Sequence, residues 1–199
     1  MHLPVFVSGP HGGGKTTLIQ SMLKTYPELV LNDMEFDFAQ NYPSMKRLSH
    51  YEKGLIRLWF RGVCATHAVD MSRQLPGKIV MTDRSVYDSM AYAQTYAEHG
   101  LISQKEHETI QNMAEKMGAA GITVILQPSI DVVLRRLQSR TTNAERTARD
   151  KTFSDEDSTE FVTTLCKAFD QWKNVKTVYY ISNNEAEDIP SIMQWIRSF

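Results

Sequence analysis

Cysteine is scarce: only Cys64 and Cys166 occur among 199 residues, in different predicted helices, without a C-x-x-C pair and with no histidines gathered at metal-ligand spacing. That argues against a disulfide framework or a structural zinc site, and two buried thiols of a reducing, cytoplasmic compartment are expected. Net charge is also nearly absent, −1 from 22 Lys+Arg against 23 Asp+Glu, which speaks against a general nucleic-acid or membrane-surface partner. No apolar run approaches the roughly 20 residues of a membrane span. The N-terminus passes from a strand-like run straight into a glycine-rich turn, which is not the pattern of a signal peptide. Internal repeats, low-complexity tracts and linkers are missing too, so residues 1–199 are expected to form a single domain.

What is present is an alternation of short β-rich runs with longer stretches whose apolar residues recur at helical spacing. Residues 3–8, 29–31, 78–82, 122–126 and 177–181 read as strands. Residues 15–24, 51–74, 86–98, 104–117, 130–139 and 155–172 read as helices, and a last helix begins near Asp188 as N-cap with Pro190 in its first turn. Ile189, Ile192, Met193, Ile196 and Phe199 would form its apolar face. Continuous apolar strands separated by helices predict an α/β fold, a parallel sheet covered on both faces.

Between the first strand and the first helix stands Gly9-Pro10-His11-Gly12-Gly13-Gly14-Lys15-Thr16, which matches G-x-x-x-x-G-K-[ST]. Glycines let backbone N–H groups turn inward around phosphate oxygens, and the following helix adds its positive end. Lys15, at an exposed loop–helix junction, would reach the outer phosphates, and the Thr16 hydroxyl would take a magnesium coordination position. The expected ligand is a nucleoside triphosphate, ATP, with Mg2+.

The third strand runs into Met81-Thr82-Asp83-Arg84-Ser85. Ligands of doubly wound sheets sit beyond the carboxyl ends of strands, so Asp83 and Arg84 are expected beside the phosphate loop. Asp83 would hold magnesium through water, and Arg84 would offer a planar fork to an acceptor phosphate or to the migrating group. Arg135, Arg136, Arg140, Arg146, Arg149 and Lys151 crowd into a chain that is otherwise neutral. Residues 140–152 lack a hydrophobic period and are expected to form an arginine-rich lid, with Arg140 and Arg146 compensating transition-state charge. The alternative is a solvated segment paired with Glu145, Asp150, Asp155 and Glu156.

These residues resemble the thymidylate kinase-like and deoxynucleoside kinase-like branch of P-loop kinases. Gly9-x-x-Gly12-x-Gly14-Lys15-Thr16-Thr17 has the glycine spacing and double threonine of thymidylate kinases, which implies that Thr17 joins the ATP-binding loop. Asp83-Arg84-Ser85-Val86-Tyr87-Asp88-Ser89-Met90-Ala91-Tyr92 is similar to their D-R-Y-x-x-S-S-x-A-Y segment, and Asp83-Arg84-Ser85 to the E-R-S of deoxynucleoside kinases. Glu145-Arg146 followed by Phe161-Val162 is similar to the thymidylate kinase lid and the helix behind it. The resemblance implies a P-loop NTPase fold with a five-stranded sheet in the order 2-3-1-4-5 and a lid.

It further implies that Phe60 stacks on an acceptor base, with Trp59 beside it, and that Tyr92 and Arg84 line the acceptor site. Three positions depart from thymidylate kinases: His11 replaces an acidic loop residue, Cys64 stands where an arginine would bond the base edge, and residues 32–37 replace an arginine-bearing turn. Deoxynucleoside kinases place a glutamate after strand two as base toward the 5′-hydroxyl, a role that falls on Glu35, with Asp33 and Asp37 as open alternatives.

The expected activity is therefore ATP- and Mg2+-dependent phosphoryl transfer to a nucleoside or nucleoside monophosphate, discriminated otherwise than in a dedicated thymidylate kinase. The rivals are a kinase of the same fold acting on another small hydroxyl compound, and a nucleotide-binding regulatory protein without an acceptor. No nucleic acid or membrane partner is expected, and a homodimer is compatible with the sequence.

Overall fold

In the computed structural model, which describes residues 2–32, 34, 47–118, 120–142, 154–182 and 188–199, all strand pairings are parallel and run in the order β2-β3-β1-β4-β5. The elements follow the chain as β1 (Val5–Ser8), α1 (Lys15–Thr25), β2 (Leu29–Leu31), α2 (His50–Gln74), β3 (Ile79–Asp83), α3 (Val86–Glu98) and α4 (Gln104–Met117). They continue with β4 (Ile122–Leu126), α5 (Ile130–Thr142), α6 (Thr159–Ala168), β5 (Val178–Ile181) and α7 (Asp188–Ile196), with 3-10 turns at Ser154–Asp157 and Phe169–Trp172.

Period-two alternation splits the strand residues between two cores. Val5, Val7, Ile122, Val124 and Leu126 face α1 and α7, where Leu18, Ile19, Met22, Ile192 and Met193 meet them. Ile125 and Val178 face the opposite layer of α2, α3, α4 and α6, built around Leu58, Tyr96, Phe161 and Phe169. Each fully buried side chain of this size contributes about 1.5–3 kcal/mol, so the two cores lock the central strands from both sides. Both cysteines are buried and free, as expected.

Several boundaries move. β3 includes Asp83, one residue past the expected end, because Asp83 still pairs with Val7. Residues 140–142, expected to open the mobile loop, continue α5, and the rest of the expected lid, with Arg146, Arg149 and Lys151, lies outside the described residues. The helix expected over 155–172 is broken in three. Ser158 restarts it, its hydroxyl accepting from the Phe161 N–H, after Glu156 and Asp157 have turned inward to partners described below. Phe199 lies beyond α7 and packs on Trp195, ring centroids 5.2 Å apart, instead of extending the helical face. Among the described residues no helix is long and apolar enough to cross a membrane.

β4 can start beside β1 only because Gly121 has no side chain: a Cβ there would lie 2.0 Å from the Pro4 carbonyl oxygen, which accepts from the Ile122 N–H at 3.0 Å. Gly121→Ala is expected to cost about 2–3 kcal/mol of stability. Gly77→Ala, at a positive φ but with nothing within 4 Å, should cost only about 1 kcal/mol. Urea unfolding of both variants checks this, and equal losses would contradict the steric explanation.

Candidate phosphoryl-transfer site

The phosphate loop leaves β1 at Ser8 and enters α1 at Lys15. Gly9 has a φ of 138°, and a Cβ there would meet the Leu126 carbonyl oxygen at 2.1 Å, so only glycine lets the chain turn off the sheet at that point. Four loop carbonyls are taken by cations. The Lys15 ammonium donates to Gly9 O and Pro10 O, both at 2.9 Å, and Arg136 of α5 donates to Gly13 O at 2.9 Å and Gly12 O at 3.4 Å. Lys15 is consequently buried, 6% exposed, where an exposed junction was expected. The α1 N-terminus has no side-chain cap and no acidic residue in its first turn. Every other α-helix with a described N-cap opens on a serine: Ser49, Ser85, Ser103 and Ser158. An uncapped helix start has unpaired N–H groups and a positive end to offer an anion. Thr16 and Thr17 lie exposed on that first turn.

The end of β3 is stitched to the root of this loop. Asp83 stands opposite Val7, the Arg84 N–H donates to Val7 O at 2.8 Å, and the Ser85 and Ser8 hydroxyls are 2.7 Å apart. Arg84 has a φ of 74°, a left-handed conformation that costs a non-glycine residue about 1–2 kcal/mol and that concentrates at functional sites. Its guanidinium, 25% exposed, pairs with Asp88 at 3.1 Å. Asp83 is exposed and makes no hydrogen bond or ion pair among the described residues. Its carboxylate and the Thr16 hydroxyl are hard oxygens of the kind that magnesium accepts, and these two residues would hold that ion.

A second wall is built of charge. Asp88, fully buried, accepts from the Ser85 N–H at 3.0 Å and from Arg84. Burial alone would raise its carboxyl, but Arg61, Arg84 and Lys15 together hold it below the usual carboxylate range. Burial pushes the Arg61 guanidinium down to about 10, with Arg84 and Arg57 adding to the fall and Asp88 opposing it, and Arg61 donates to Ser89 Oγ at 2.5 Å. Arg57 meets Glu156 at 2.9 Å, and both bond the Tyr96 hydroxyl. Burial works hardest against its charge, yet Glu156, Tyr96 and Tyr92 together outweigh it and raise the Arg57 pKa.

His11 turns away from the loop's mouth. Its Nδ1 lies 2.7 Å from the Tyr92 hydroxyl and its Nε2 is 3.3 Å from Asp157, so the side chain ties the loop to α3 and to the turn at Ser154–Asp157. Tyr92, expected to line the acceptor site, is 3% exposed, with Arg57 over its ring at 5.1 Å. Phe60 is half-buried on α2 and Cys64 buried, while Trp59 is exposed. Arg140 is exposed in the last turn of α5. Glu35, Asp33, Asp37 and Arg146 lie outside the described residues. An open groove of about 750 Å³ along α2, touching Trp59, Gly62, Thr66 and Met117, contains none of the phosphate-loop residues.

Arg57, Arg61, Asp88 and Glu156 were not among the residues expected from sequence. One signal was available: Lys53, Arg57, Arg61 and Cys64 share a helical stripe of α2, where a buried face should be apolar. Another was the S-x-x-D spacing of Ser85 and Asp88, a capping box that places Asp88 at the helix start.

The family model described as deoxynucleoside kinase matches residues 5–188. Among curated proteins, no sequence match is found. Solved structures of deoxyadenosine kinase from M. mycoides share the fold. The form with bound dCTP aligns with a TM-score of 0.69 at 15% identity, covering 99% of this chain and 100% of that one. The form with bound dATP gives 0.67 at 14%, covering 98% and 100%. The form with products dCMP and a flexible dCDP gives 0.69 at 15%, covering 99% and 100%.

Removing one partner of a buried ion pair leaves an uncompensated charge, which costs about 3–5 kcal/mol. Glu156→Ala is expected to lose that much stability, and the double variant Arg57→Met/Glu156→Leu to lose less than Glu156→Ala alone. Chemical denaturation checks both, and a loss under about 1 kcal/mol for Glu156→Ala would show the pair to be energetically idle.

Proposed function

Because the chain belongs to the deoxynucleoside kinase family, a family of nucleoside kinases, we propose that it transfers the terminal phosphoryl group of ATP, with magnesium, to the 5′-hydroxyl of a deoxynucleoside. The observation that carries this reading is the register of β1 against β3, which sets Asp83 and Arg84 beside a glycine-rich loop leading into an uncapped helix. Phosphoryl transfer asks the protein chiefly for positioning and charge compensation, and these residues supply both. The binding of dATP and dCTP by the M. mycoides deoxyadenosine kinase supports a nucleotide donor, and its dCMP product supports a deoxynucleoside acceptor.

In this reading the donor phosphates lie on the α1 N-terminus and its loop, through the backbone of Gly9, His11, Gly12, Gly13 and Gly14 and the hydroxyls of Thr16 and Thr17. Lys15 exchanges its two loop carbonyls for phosphate oxygens, an exchange its flexible stem allows. Thr16 and Asp83 would hold magnesium, which when bound neutralises charge on the donor's phosphate oxygens. Arg84 orients the 5′ end of the acceptor, Phe60 and Tyr92 line its base side, and Glu35 takes the proton of the 5′-hydroxyl, with Asp33 and Asp37 as alternatives. Arg140, in the last turn of α5, and Arg146 compensate transition-state charge, and the part of the arginine-rich segment beyond α5 serves as a lid that excludes water and stops hydrolysis.

The test is a screen of the four common deoxynucleosides and their monophosphates, thymidylate included, for acceptor-dependent ADP release. A deoxynucleoside is expected to outperform every monophosphate in kcat/KM. Lys15→Ala should lower turnover by a factor of roughly a thousand or more, in line with several kcal/mol of lost transition-state stabilisation. Near-normal turnover of Lys15→Ala, or a thousandfold preference for thymidylate, would overturn the reading.

A further inference from the structure

Asp88 stands apart from the other charged groups of the site. It is fully buried, and both its oxygens are engaged, one by the Ser85 N–H at 3.0 Å and one by the Arg84 guanidinium at 3.1 Å. It sits in the first turn of α3, where the Ser85 N–H and the Arg84 guanidinium hold its two oxygens. Arg61 approaches from α2, donating to the neighbouring Ser89, and Lys15 from the phosphate loop. Arg57, the remaining cation of this wall, is matched by Glu156. The Arg84 guanidinium at the end of β3 is thus paired with a carboxylate of the protein before any ligand is bound, one that Arg61 and Lys15 also face.

A hydroxyl and a phosphomonoester differ at this spot. The acceptor's 5′-hydroxyl carries no charge, whereas the product's phosphate carries nearly two negative charges at neutral pH and is held by cations whose charge is not already matched. A site with uncompensated arginines would bind the product more tightly than the substrate and would release it slowly.

Resting on the kinase reading above, we propose that Asp88 is a specificity-determining residue whose carboxylate compensates and orients the Arg84 guanidinium, so that the acceptor end takes an uncharged deoxynucleoside and releases its 5′-monophosphate. Arg84, at a left-handed φ of 74°, pairs with this carboxylate four residues ahead in the first turn of α3. Nothing in that geometry requires the carboxylate for helix capping alone, since an amide oxygen at the same position would still accept from the Ser85 N–H.

Asp88→Asn keeps the shape and that acceptor while removing the charge. Calorimetric titrations of wild type and variant with the four common deoxynucleosides and their 5′-monophosphates supply the readout. The monophosphate of the best-bound deoxynucleoside is expected to bind Asp88→Asn about tenfold more tightly than wild type, as one unmatched charge at this range would give. The affinity for the deoxynucleoside itself should stay within about twofold. Parallel shifts of the two ligands, or an unchanged monophosphate affinity, would reduce Asp88 to a structural cap and overturn the proposal. If Asp88→Asn does not fold by circular dichroism, Asp88→Ser, which also keeps an acceptor oxygen without the charge, decides by the same titrations. An unchanged monophosphate affinity in that variant overturns the proposal. A wild-type protein that binds and phosphorylates a deoxynucleoside but fails these titrations refutes the role of Asp88 alone. One that binds none of the four refutes the kinase reading, and this proposal with it.

Discussion

A strand paired in parallel on both edges cannot return through a hairpin. Its chain must leave at the carboxyl end and cross over through a helix. β1 is held in this way between β3 and β4, with Val7 opposite Asp83 and Ser8 opposite Ile125. The turn that follows is therefore delivered to the one edge of the sheet where β3 also ends. The phosphate loop, the uncapped α1 N-terminus and the Asp83-Arg84-Ser85 corner all descend from that register. The apolar cores on both faces exist to hold it, and a slip of one residue would turn Val5 and Val7 from one core toward the other.

Around that fixed edge the protein assembles a dense set of buried charges, which is costly unless each is matched. The matching is local and asymmetric. In the glycine-rich loop, Lys15 and Arg136 rest on backbone carbonyls. On the other wall, Arg84 and Arg57 rest on the buried carboxylates Asp88 and Glu156, and Arg61 and Lys15 also face Asp88. The turn at Ser154–Asp157 joins the two sides: Glu156 grips α2 and α3 through Arg57 and Tyr96, while Asp157 faces His11 in the loop.

Much of the fold was legible because it depends on local pattern. The strands at Leu29–Leu31 and Ile122–Leu126 and the helices at Val86–Glu98 and Gln104–Met117 lie where periodicity put them. The sheet order followed from the resemblance to P-loop kinases, and of its two branches the deoxynucleoside kinase family is the one the chain belongs to. The glycine-rich loop announced itself through residue types that other roles do not require. The buried charged wall did not, because its pairs include long separations: Arg57 and Glu156 are 99 residues apart, and a charged residue met alone in sequence reads as solvated. Lys15 was expected in the open and is buried, since loop carbonyls that sequence cannot orient fold onto its amine. The side chain of His11, one of the loop residues expected to bind ATP, packs inward on Tyr92, a long-range contact that sequence does not show. The break in the helix after residue 154 was missed for a related reason, as the inward pull on Glu156 and Asp157 is a tertiary effect that overrides helical propensity.

The central claim is that this edge of the sheet moves a phosphoryl group onto a sugar hydroxyl instead of merely holding or hydrolysing a nucleotide. The most direct measurement is phosphorus NMR of the purified protein incubated with ATP, magnesium and the four common deoxynucleosides in turn. The predicted result is one deoxynucleoside 5′-monophosphate formed for each ADP, with the new phosphorus resonance coupled to the 5′-methylene protons. ADP appearing with inorganic phosphate alone, or no consumption of ATP with any acceptor, would contradict it.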